Sequence, residues 1–314
     1  MKKGKIVIVG TGYVGSTLAY SLIQRALVEE IVLIDVNRAK AEGEAMDLNH
    51  SLPFVRPVTV RVGDFRDCDD AAVVVITAGV AQKPGETRLD LAARNFAVYR
   101  QIIPEIVAGG TEAVLLVATN PLDVMTYAAA KLGGLPHQRV IGSGTLLDSS
   151  RLRFLLSRHC GVDPANIHAY ILGEHGDSEV PVWSAAHIAG ISLDEYCAVC
   201  GHNCGRTMRD EIFAQVREAA YEIIARKGAT YYAIGLALVR ILSAVLRDEH
   251  SLLTVSSVLH GEYGLQDVAL SVPTIVGRRG VEKVVPIPLA PEEIEGLRRS
   301  AGVIRGVIEG IGLG

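Results

Sequence analysis

The feature that most constrains the fold is a glycine-rich segment near the start of the chain. Residues 6–9 form an apolar run typical of a buried β-strand, and Gly10, Gly12 and Gly15 follow in the order GxGxxG. The first glycine permits a tight turn, the second lets a pyrophosphate approach the backbone, and the third allows helix and strand to pack closely. The segment therefore predicts a strand, a phosphate-binding turn and a helix.

A second apolar run, residues 31–34, ends at Asp35. A carboxylate at this distance from the glycines can accept hydrogen bonds from the ribose hydroxyls of NAD and would repel the extra phosphate of NADP. The alternative is an ordinary turn with a surface aspartate. We predict that NAD is the cofactor. The residues predicted to contact it are Gly10, Gly12, Tyr13, Val14, Gly15, Asp35, Thr77, Ala78, Gly79 and Asn120.

Apolar strands alternate with helical patterns through the first half of the chain, which predicts a parallel, doubly wound Rossmann sheet with its ligand crevice at the strand carboxyl ends. After about residue 143 the pattern changes to long helices and antiparallel-looking strands. We therefore expect an α/β fold with an NAD-binding domain at residues 1–143 and an α+β substrate domain at residues 144–314. The predicted strands lie at 6–9, 31–34, 58–62, 73–77, 113–117, 140–142, 254–260 and 268–276, and the later helices at 207–227, 231–246 and 291–308.

Composition excludes several classes of partner. A formal net charge of −4 over 314 residues, without a lysine-rich block, gives no reason to expect nucleic acid. The longest apolar stretch, residues 231–246, contains Arg240 and is too short to span a bilayer. We therefore expect a cytoplasmic protein whose partners are small molecules, with neither nucleic acid nor membrane among them.

The cysteines leave a question open. There are five, an odd number that argues against a disulfide framework. Cys197, Cys200, His202 and Cys204 could supply four zinc ligands, or they could be reduced thiols on a solvent-facing connection. Because ligands this close in sequence strain a tetrahedral geometry, we predict no metal.

The residues that carry chemistry lie in two later segments. His175 stands within Gly-Glu-His-Gly-Asp-Ser, and Asp148 precedes Arg151 by one helical turn. A histidine with a carboxylate to orient it can move a proton, while the arginine holds an anionic carboxylate. Together with the nucleotide signature, this predicts proton transfer coupled to hydride transfer. Taken separately, His175 could instead be a core histidine, Asp148 a helix cap and Arg151 a surface charge.

A loop at residues 78–88, punctuated by glycine and proline, ends at Arg88 and opens a helix. Such a loop can close over a ligand and expel water, so the arginine charge would act at low dielectric. The alternative is a solvated surface turn.

Taken together, these motifs resemble one known family over essentially the whole chain, the L-lactate dehydrogenases of the lactate/malate dehydrogenase family. The resemblance implies that His175 gives and takes the proton, Asp148 holds its tautomer, Arg151 grips the substrate carboxylate and Arg88 polarises the reacting carbonyl. It is carried by the segments GTGYVG with Asp35, AGVAQKPGETR, VATNPLDV, LLDSSRLR, GEHGDSEVPVW and KGATYYAIG.

The resemblance also implies a substrate pocket that includes Gln82, Asn120 and Thr230. Similar malate enzymes place an arginine at the position of Gln82, where it neutralises the second carboxylate of oxaloacetate. A neutral glutamine would leave that carboxylate desolvated without a counterion, so we predict pyruvate and L-lactate as substrates. The alternative is that Gln82 is an exposed loop residue without a role.

The resemblance also implies a regulatory site. Arg153 and His168 lie where related bacterial enzymes bind a phosphate of fructose 1,6-bisphosphate at a subunit interface, which implies activation of a homotetramer by this sugar. Alternatively, Arg153 lies on a helix surface and His168 is hydrogen-bonded in a strand. Other functions that remain open are a malate or broader 2-hydroxy-acid dehydrogenase, an NAD- and metal-dependent glycosidase, and a nucleotide-sensing module without catalysis.

Overall fold

The computed structural model describes residues 4–82, 85–202 and 204–313. Strands and helices alternate through its first half, as the hydrophobic pattern predicts. Their bounds are β1 (Lys5–Val9), α1 (Tyr13–Arg25), β2 (Glu30–Ile34), α2 (Arg38–Ser51), β3 (Thr59–Val62), β4 (Val73–Ile76), α3 (Arg88–Val107), β5 (Val114–Val117), α4 (Leu122–Gly133) and β6 (Val140–Gly142).

The second half is mixed rather than alternating. Its elements are α5 (Leu146–Cys160), β7 (Ile167–Leu172), β8 (Val180–Ile188), β9 (Ile191–Ser192), α6 (Leu193–Val199), α7 (Arg206–Lys227), α8 (Tyr232–Arg247), β10 (Ser251–His260), β11 (Gln266–Gly277), β12 (Gly280–Val284) and α9 (Pro291–Gly310).

In the described part of the chain, nine strands form one sheet in the order β12-β11-β10-β6-β5-β4-β1-β2-β3. The strands β1 to β6 are parallel, in the order expected of a doubly wound dinucleotide-binding fold. The predicted α/β fold class with a Rossmann sheet is confirmed. The carboxyl ends of these strands lie along one edge, which is where ligands bind in such sheets.

The sheet does not stop at the boundary predicted between residues 143 and 144. Strand β10 pairs antiparallel with β6 through Ser256 and Gly142, and β11 and β12 extend the sheet further. The second half therefore contributes strands to the first half's sheet, and the division of the chain into two domains stays a prediction.

A second, three-stranded sheet of order β7-β8-β9 lies outside the predicted elements. It packs with α5 and α7 around an apolar cluster that includes Leu152, Ile171 and Val216. Along β8 buried and more accessible residues alternate, as in a strand with one covered face. This cluster fixes α5, which carries Asp148, against β7, which leads to His175.

Helix α8 is covered on its apolar side by the nucleotide half. Leu238 and Leu242 are buried in one cluster with Ile8 and Leu18 of β1 and α1. A Cβ at Gly235 would lie 2.8 Å from the Cγ2 atom of Thr17, so the two helices approach closely there. Within the described ranges, no helix is both long enough and apolar enough to cross a lipid bilayer.

Candidate active site

The glycine-rich turn has the geometry that its spacing predicts. Gly10 has a φ of +103°, and a Cβ there would lie 2.6 Å from the backbone nitrogen of Ala78. A Cβ at Gly15 would collide with the carbonyl oxygen of Gly10, so α1 can start this close to the turn only with glycine. A Cβ at Gly12 would meet nothing within 4 Å. The turn is therefore tight on its protein side and open beside Gly12, where a pyrophosphate can approach.

Asp35, at the end of β2, is tied to this turn. Its Oδ2 accepts hydrogen bonds from the backbone nitrogen and hydroxyl of Thr11, at 2.7 and 2.9 Å, and its Oδ1 accepts from the nitrogen of Asn37 at 2.9 Å. Burial raises the pKa of Asp35, but these hydrogen bonds outweigh it and hold the pKa below its usual value. The carboxylate is thus ionised beside the turn, as an acceptor for ribose hydroxyls must be.

The segment after β4 lies against the same turn. Thr77 donates its hydroxyl hydrogen to the carbonyl oxygen of Gly10 at 2.7 Å, and Thr119 donates to that of Ala78 at 2.7 Å. A Cβ at Gly79 would lie 2.5 Å from Cγ2 of Thr119. The predicted cofactor residues 10, 77, 78 and 79 are therefore brought together at the carboxyl edge of the sheet.

Asn95 of α3 links this segment to Asn120, and the sequence analysis gave it no role. Its Oδ1 accepts from the backbone nitrogen of Val80 at 2.7 Å, and its Nδ2 donates to the carbonyl oxygen of Asn120 at 2.7 Å. The side chain is 1% exposed. An asparagine four residues after Leu91, on the apolar face of a predicted helix, was the one available signal.

His175 and Asp148 form the centre of the site. Nδ1 of His175 lies 2.6 Å from Oδ2 of Asp148, and Nη1 of Arg151 donates to Oδ1 of the same carboxylate at 2.7 Å. Asp148 is buried in the first turn of α5, whereas His175 remains partly accessible. One carboxylate therefore holds both the imidazole and the guanidinium.

The two charges stabilise each other. Burial lowers the pKa of His175, but the Asp148 carboxylate and its hydrogen bond outweigh this effect and raise the pKa to about 9. Burial raises the pKa of Asp148, yet His175 and Arg151 hold it below its usual value. Near neutral pH the pair is therefore an imidazolium and a carboxylate. The imidazolium can act as a proton donor.

The backbone around His175 is fixed by residues that the sequence analysis missed. Its nitrogen donates to Oδ2 of Asp123 at 2.8 Å, and the nitrogen of Glu174 donates to the hydroxyl of Ser300 at 2.6 Å. Gly173 exchanges two backbone hydrogen bonds with Ser271. Burial raises the pKa of Asp123 to about 6. The histidine is thus held from α4, α9 and β11 at once.

Arg88 is the first residue of α3, behind a Thr87–Asp90 capping box. Its Nη2 donates to the carbonyl oxygen of His175 at 3.3 Å and forms an ion pair with the buried carboxylate of Glu174. Within the described residues, its buried Nε has no hydrogen-bond partner. Arg88 therefore lies beside His175, and its Nε–H is left without a hydrogen-bond partner among the described residues.

Gln82 and Thr230 are less closely placed. Gln82 is exposed, and its Nε2 donates to the carbonyl oxygen of Glu86 at 2.9 Å. Lys83 and Pro84 of the same motif lie outside the described residues. Thr230 is half-buried and precedes Tyr231, whose ring stacks on that of Tyr13 with centroids 5.3 Å apart. Thr230 thus lies in the short connection before α8, next to the tyrosine that covers the glycine turn.

Glu179 is a further buried carboxyl group near the centre, and the sequence alone gives it no role. Burial and the charge of Asp148 raise its pKa to about 8, against the attraction of His175 and Arg151. Its Oε1 is buried and, among the described residues, has no hydrogen-bond partner. The group is neutral at pH 7 and becomes charged in mildly alkaline solution.

Arg153 and His168 lie near each other on α5 and β7. Nε of Arg153 points to the carbonyl oxygen of Ala169 at 3.4 Å, and its guanidinium carbon lies 5.9 Å from the centre of the Tyr170 ring. Burial lowers the pKa of Arg153. His168 is exposed. The guanidinium of Arg153 therefore packs against the strand that carries the exposed His168.

The cysteine segment differs from the expectation of reduced thiols. A disulfide joins Cys197 and Cys204, whose Cα atoms lie 5.7 Å apart, because the connection between α6 and α7 turns back on itself. The sulfur of Cys200 lies with the other two, and all three are within 4.8 Å of one another. His202 is exposed in the same connection.

Comparison with known proteins agrees with this geometry. The description "lactate/malate dehydrogenase, NAD binding domain" matches residues 4–142, and "lactate/malate dehydrogenase, alpha/beta C-terminal domain" matches residues 145–311. The chain is similar to a protein named L-lactate dehydrogenase from Acetivibrio thermocellus, with 55% identity over 97% of this chain and 96% of that one. A Thermoanaerobacter protein of the same name is 52% identical over 97% of this chain and 98% of its own length.

Solved structures show the same likeness. A lactate dehydrogenase from a Medee basin deep-sea metagenome library has a TM-score of 0.96 and 44% identity, over 99% of this chain and 100% of that one. The minor L-lactate dehydrogenase of Enterococcus mundtii, solved in a ligand-bound form, has a TM-score of 0.95 and 43% identity over 98% of both chains.

Proposed function

Because the chain belongs to the lactate/malate dehydrogenase family, we propose that it reversibly reduces pyruvate to L-lactate with NADH. Membership makes it an NAD-dependent oxidoreductase, with NAD as its cofactor. The observation that carries the choice of reaction is the Asp148 carboxylate, which holds His175 at 2.6 Å and Arg151 at 2.7 Å. We further propose that residues 1–143 bind the cofactor, that residues 144–314 provide the acid and the carboxylate clamp, and that the enzyme is cytoplasmic.

The proposed reaction uses His175 as the acid. Bound NADH supplies a hydride to the carbonyl carbon of pyruvate, and the imidazolium of His175 gives its proton to the carbonyl oxygen, so the C=O bond becomes C–H and O–H. Asp148 keeps the imidazolium charged before the transfer and keeps the neutral ring oriented after it. In lactate oxidation the neutral ring takes the proton back.

Two arginines position the substrate in this proposal. Arg151 holds the carboxylate of pyruvate with the planar fork of its guanidinium, which lysine lacks. Arg88 moves its unused donor toward the carbonyl oxygen and stabilises the negative charge that grows there. Asn120 and Thr230 complete the pocket, and Asn120 is set in place through the bond from Asn95 to its carbonyl oxygen.

The choice of pyruvate over oxaloacetate rests on Gln82. The test is the ratio of kcat/KM for the two substrates with NADH. We expect pyruvate to be preferred, and Gln82→Arg to shift the preference toward oxaloacetate because it supplies a counterion. Gln101→Arg adds the same charge at an exposed position of α3 and should leave the ratio unchanged. A wild type that prefers oxaloacetate would overturn the assignment in favour of a malate dehydrogenase.

A simple measurement separates this proposal from a different class of enzyme. A glycosidase that uses NAD regenerates the cofactor within each turnover, whereas pyruvate reduction consumes NADH in proportion to product. Loss of NADH absorbance on addition of pyruvate therefore supports a dehydrogenase. A protein that binds NADH but never oxidises it would be a binding module.

We also propose activation by fructose 1,6-bisphosphate in a homotetramer. Support comes from Arg153, whose guanidinium contacts the backbone of β7 next to His168 and can bind a phosphate. The sugar should lower KM for pyruvate, and Arg153→Gln should abolish this effect. Arg158→Gln, an exposed change in the same helix, is the control. A KM and an assembly size that do not respond to the sugar would reject the proposal.

A further inference from the structure

Three cysteine sulfurs converge at the connection between α6 and α7, away from the active site. Sγ atoms of Cys197, Cys200 and Cys204 all lie within 4.8 Å of one another, with Cys204 buried and the other two half-buried. They belong to the apolar cluster that packs β7 and β8 on α5 and α7. The proposed dehydrogenase reaction uses none of them.

The spacing of these sulfurs suits a tetrahedral cation. Zinc binds thiolates at about 2.3 Å, so two sulfurs of one tetrahedral site lie about 3.8 Å apart. The sulfur of Cys200 already lies within 4.8 Å of the other two, and once the Cys197–Cys204 disulfide is reduced those two sulfurs must separate to reach this arrangement. We propose that, in the reduced protein, Cys197, Cys200 and Cys204 bind one Zn²⁺ ion.

We propose His159 as the fourth ligand, although its ring nitrogens are not among the ligand atoms that already lie within 4.8 Å of one another. The ring of His159, at the end of α5, lies 5.5 Å from that of His202, which is between Cys200 and Cys204 in the chain. Nε2 of His159 is buried, and no hydrogen-bond partner reaches it from the described residues. A buried imidazole nitrogen without a partner is costly, and a bound cation satisfies it.

This fourth ligand removes the strain that the sequence spacing alone suggests. With His159, the ligands come from the end of α5, from α6 and from the turn before α7, and not from a single short loop. The metal then cross-links three helices around one apolar cluster. The disulfide between Cys197 and Cys204 occupies two of the ligands, so oxidation and zinc binding exclude each other.

The test uses the full-length chain, reduced with a phosphine, incubated with Zn²⁺ and freed of excess metal. Metal analysis should give about one zinc per chain, and Co²⁺ in its place should show the strong thiolate charge-transfer and visible bands of a tetrahedral site. Cys200→Ser should weaken zinc binding at least about tenfold. Cys68→Ala alters a buried thiol outside the cluster and should bind as wild type does.

Further variants assign the fourth ligand and set the limits of the proposal. His159→Gln should weaken zinc binding, whereas His202→Gln should not. Reduced wild type that holds no zinc, or Cys200→Ser that holds it as tightly as wild type, would overturn the proposal. So would a Cys197–Cys204 disulfide that persists in a cytosol-like glutathione buffer. Because the readout is bound metal, failure here leaves the dehydrogenase assay untouched.

Discussion

The Oδ2 atom of Asp148 lies 2.6 Å from Nδ1 of His175, and the two side chains shift each other's pKa in opposite directions. With Nδ1 engaged, Nε2 is the nitrogen left to face a substrate. The carboxylate thus determines which ring nitrogen faces the substrate. By raising the pKa of His175, it also determines whether that nitrogen carries a proton. Because Arg151 donates to the same carboxylate at 2.7 Å, the proposed acid and the proposed carboxylate clamp share one anchor.

The first prediction concerns the pH dependence of the two directions. The pKa of His175 is raised to about 9, so the imidazolium needed for pyruvate reduction is present below that value and is lost above it. Pyruvate kcat should therefore be flat near neutral pH and fall about tenfold per pH unit above 9. Lactate oxidation needs the neutral ring and should rise with pH up to the same value. A reduction rate that already falls near the ordinary histidine pKa would contradict this account.

The second prediction tests the anchor itself. In Asp148→Asn the charge that holds the imidazolium is gone, so the pKa of His175 falls and the ring can adopt the wrong tautomer. We expect pyruvate kcat to drop about 10²- to 10⁴-fold and the alkaline limb to move to lower pH. Stopped-flow and steady-state rates across the pH range measure both effects.

A control is available in the loop after α5. Asp163→Asn keeps a side-chain oxygen for the backbone nitrogen of Ala165, far from His175. It should leave the pH profile unchanged. If Asp148→Asn lowered kcat but left the alkaline limb in place, Asp148 would act by position alone and not through the pKa of His175.

The third prediction concerns Glu179. This carboxyl is neutral below its pKa of about 8 because burial and Asp148 disfavour its charge. Above pH 8 it ionises beside the groups that receive pyruvate, so it repels the substrate carboxylate and raises KM before His175 loses its proton. In Glu179→Gln this rise in KM should disappear, while the fall in rate near 9 remains. Glu292→Gln, an exposed change at the start of α9, should behave as wild type. An unchanged KM profile in Glu179→Gln would dismiss the idea.

The parallel half of the sheet was predictable because its strands are continuous runs of apolar residues. The predicted β1, β2, β4 and β6 agree with the structure to within one residue at either end. The small sheet of β7, β8 and β9 was missed. Its strands mix histidine, proline and tryptophan with valine and isoleucine, and their alternation becomes a signal only when the covered face is known.

The site residues also divide into those that the sequence can predict and those that it cannot. His175, Asp148 and Arg151 could be predicted because each is a side chain whose chemistry is visible in a motif. Asn95 could not, because its partners are backbone groups of Val80 and Asn120, 15 and 25 residues away. Glu179 stands next to the histidine motif, but its raised pKa depends on burial, which a single sequence does not give.

The last prediction tests what the hydrogen bonds of Asn95 contribute to stability and to substrate binding. In Asn95→Ala the backbone nitrogen of Val80 and the carbonyl oxygen of Asn120 lose their buried partner, and each loss costs about 1–3 kcal/mol. We expect the free energy of unfolding to fall by about 2–4 kcal/mol in urea, and KM for pyruvate to rise because Asn120 is no longer held. Arg100→Ala truncates an exposed side chain of the same helix and should change neither quantity. A loss below about 0.5 kcal/mol would mean that water replaces the amide, in which case the strand ends are held together by the Thr119 hydroxyl and the glycine contacts alone.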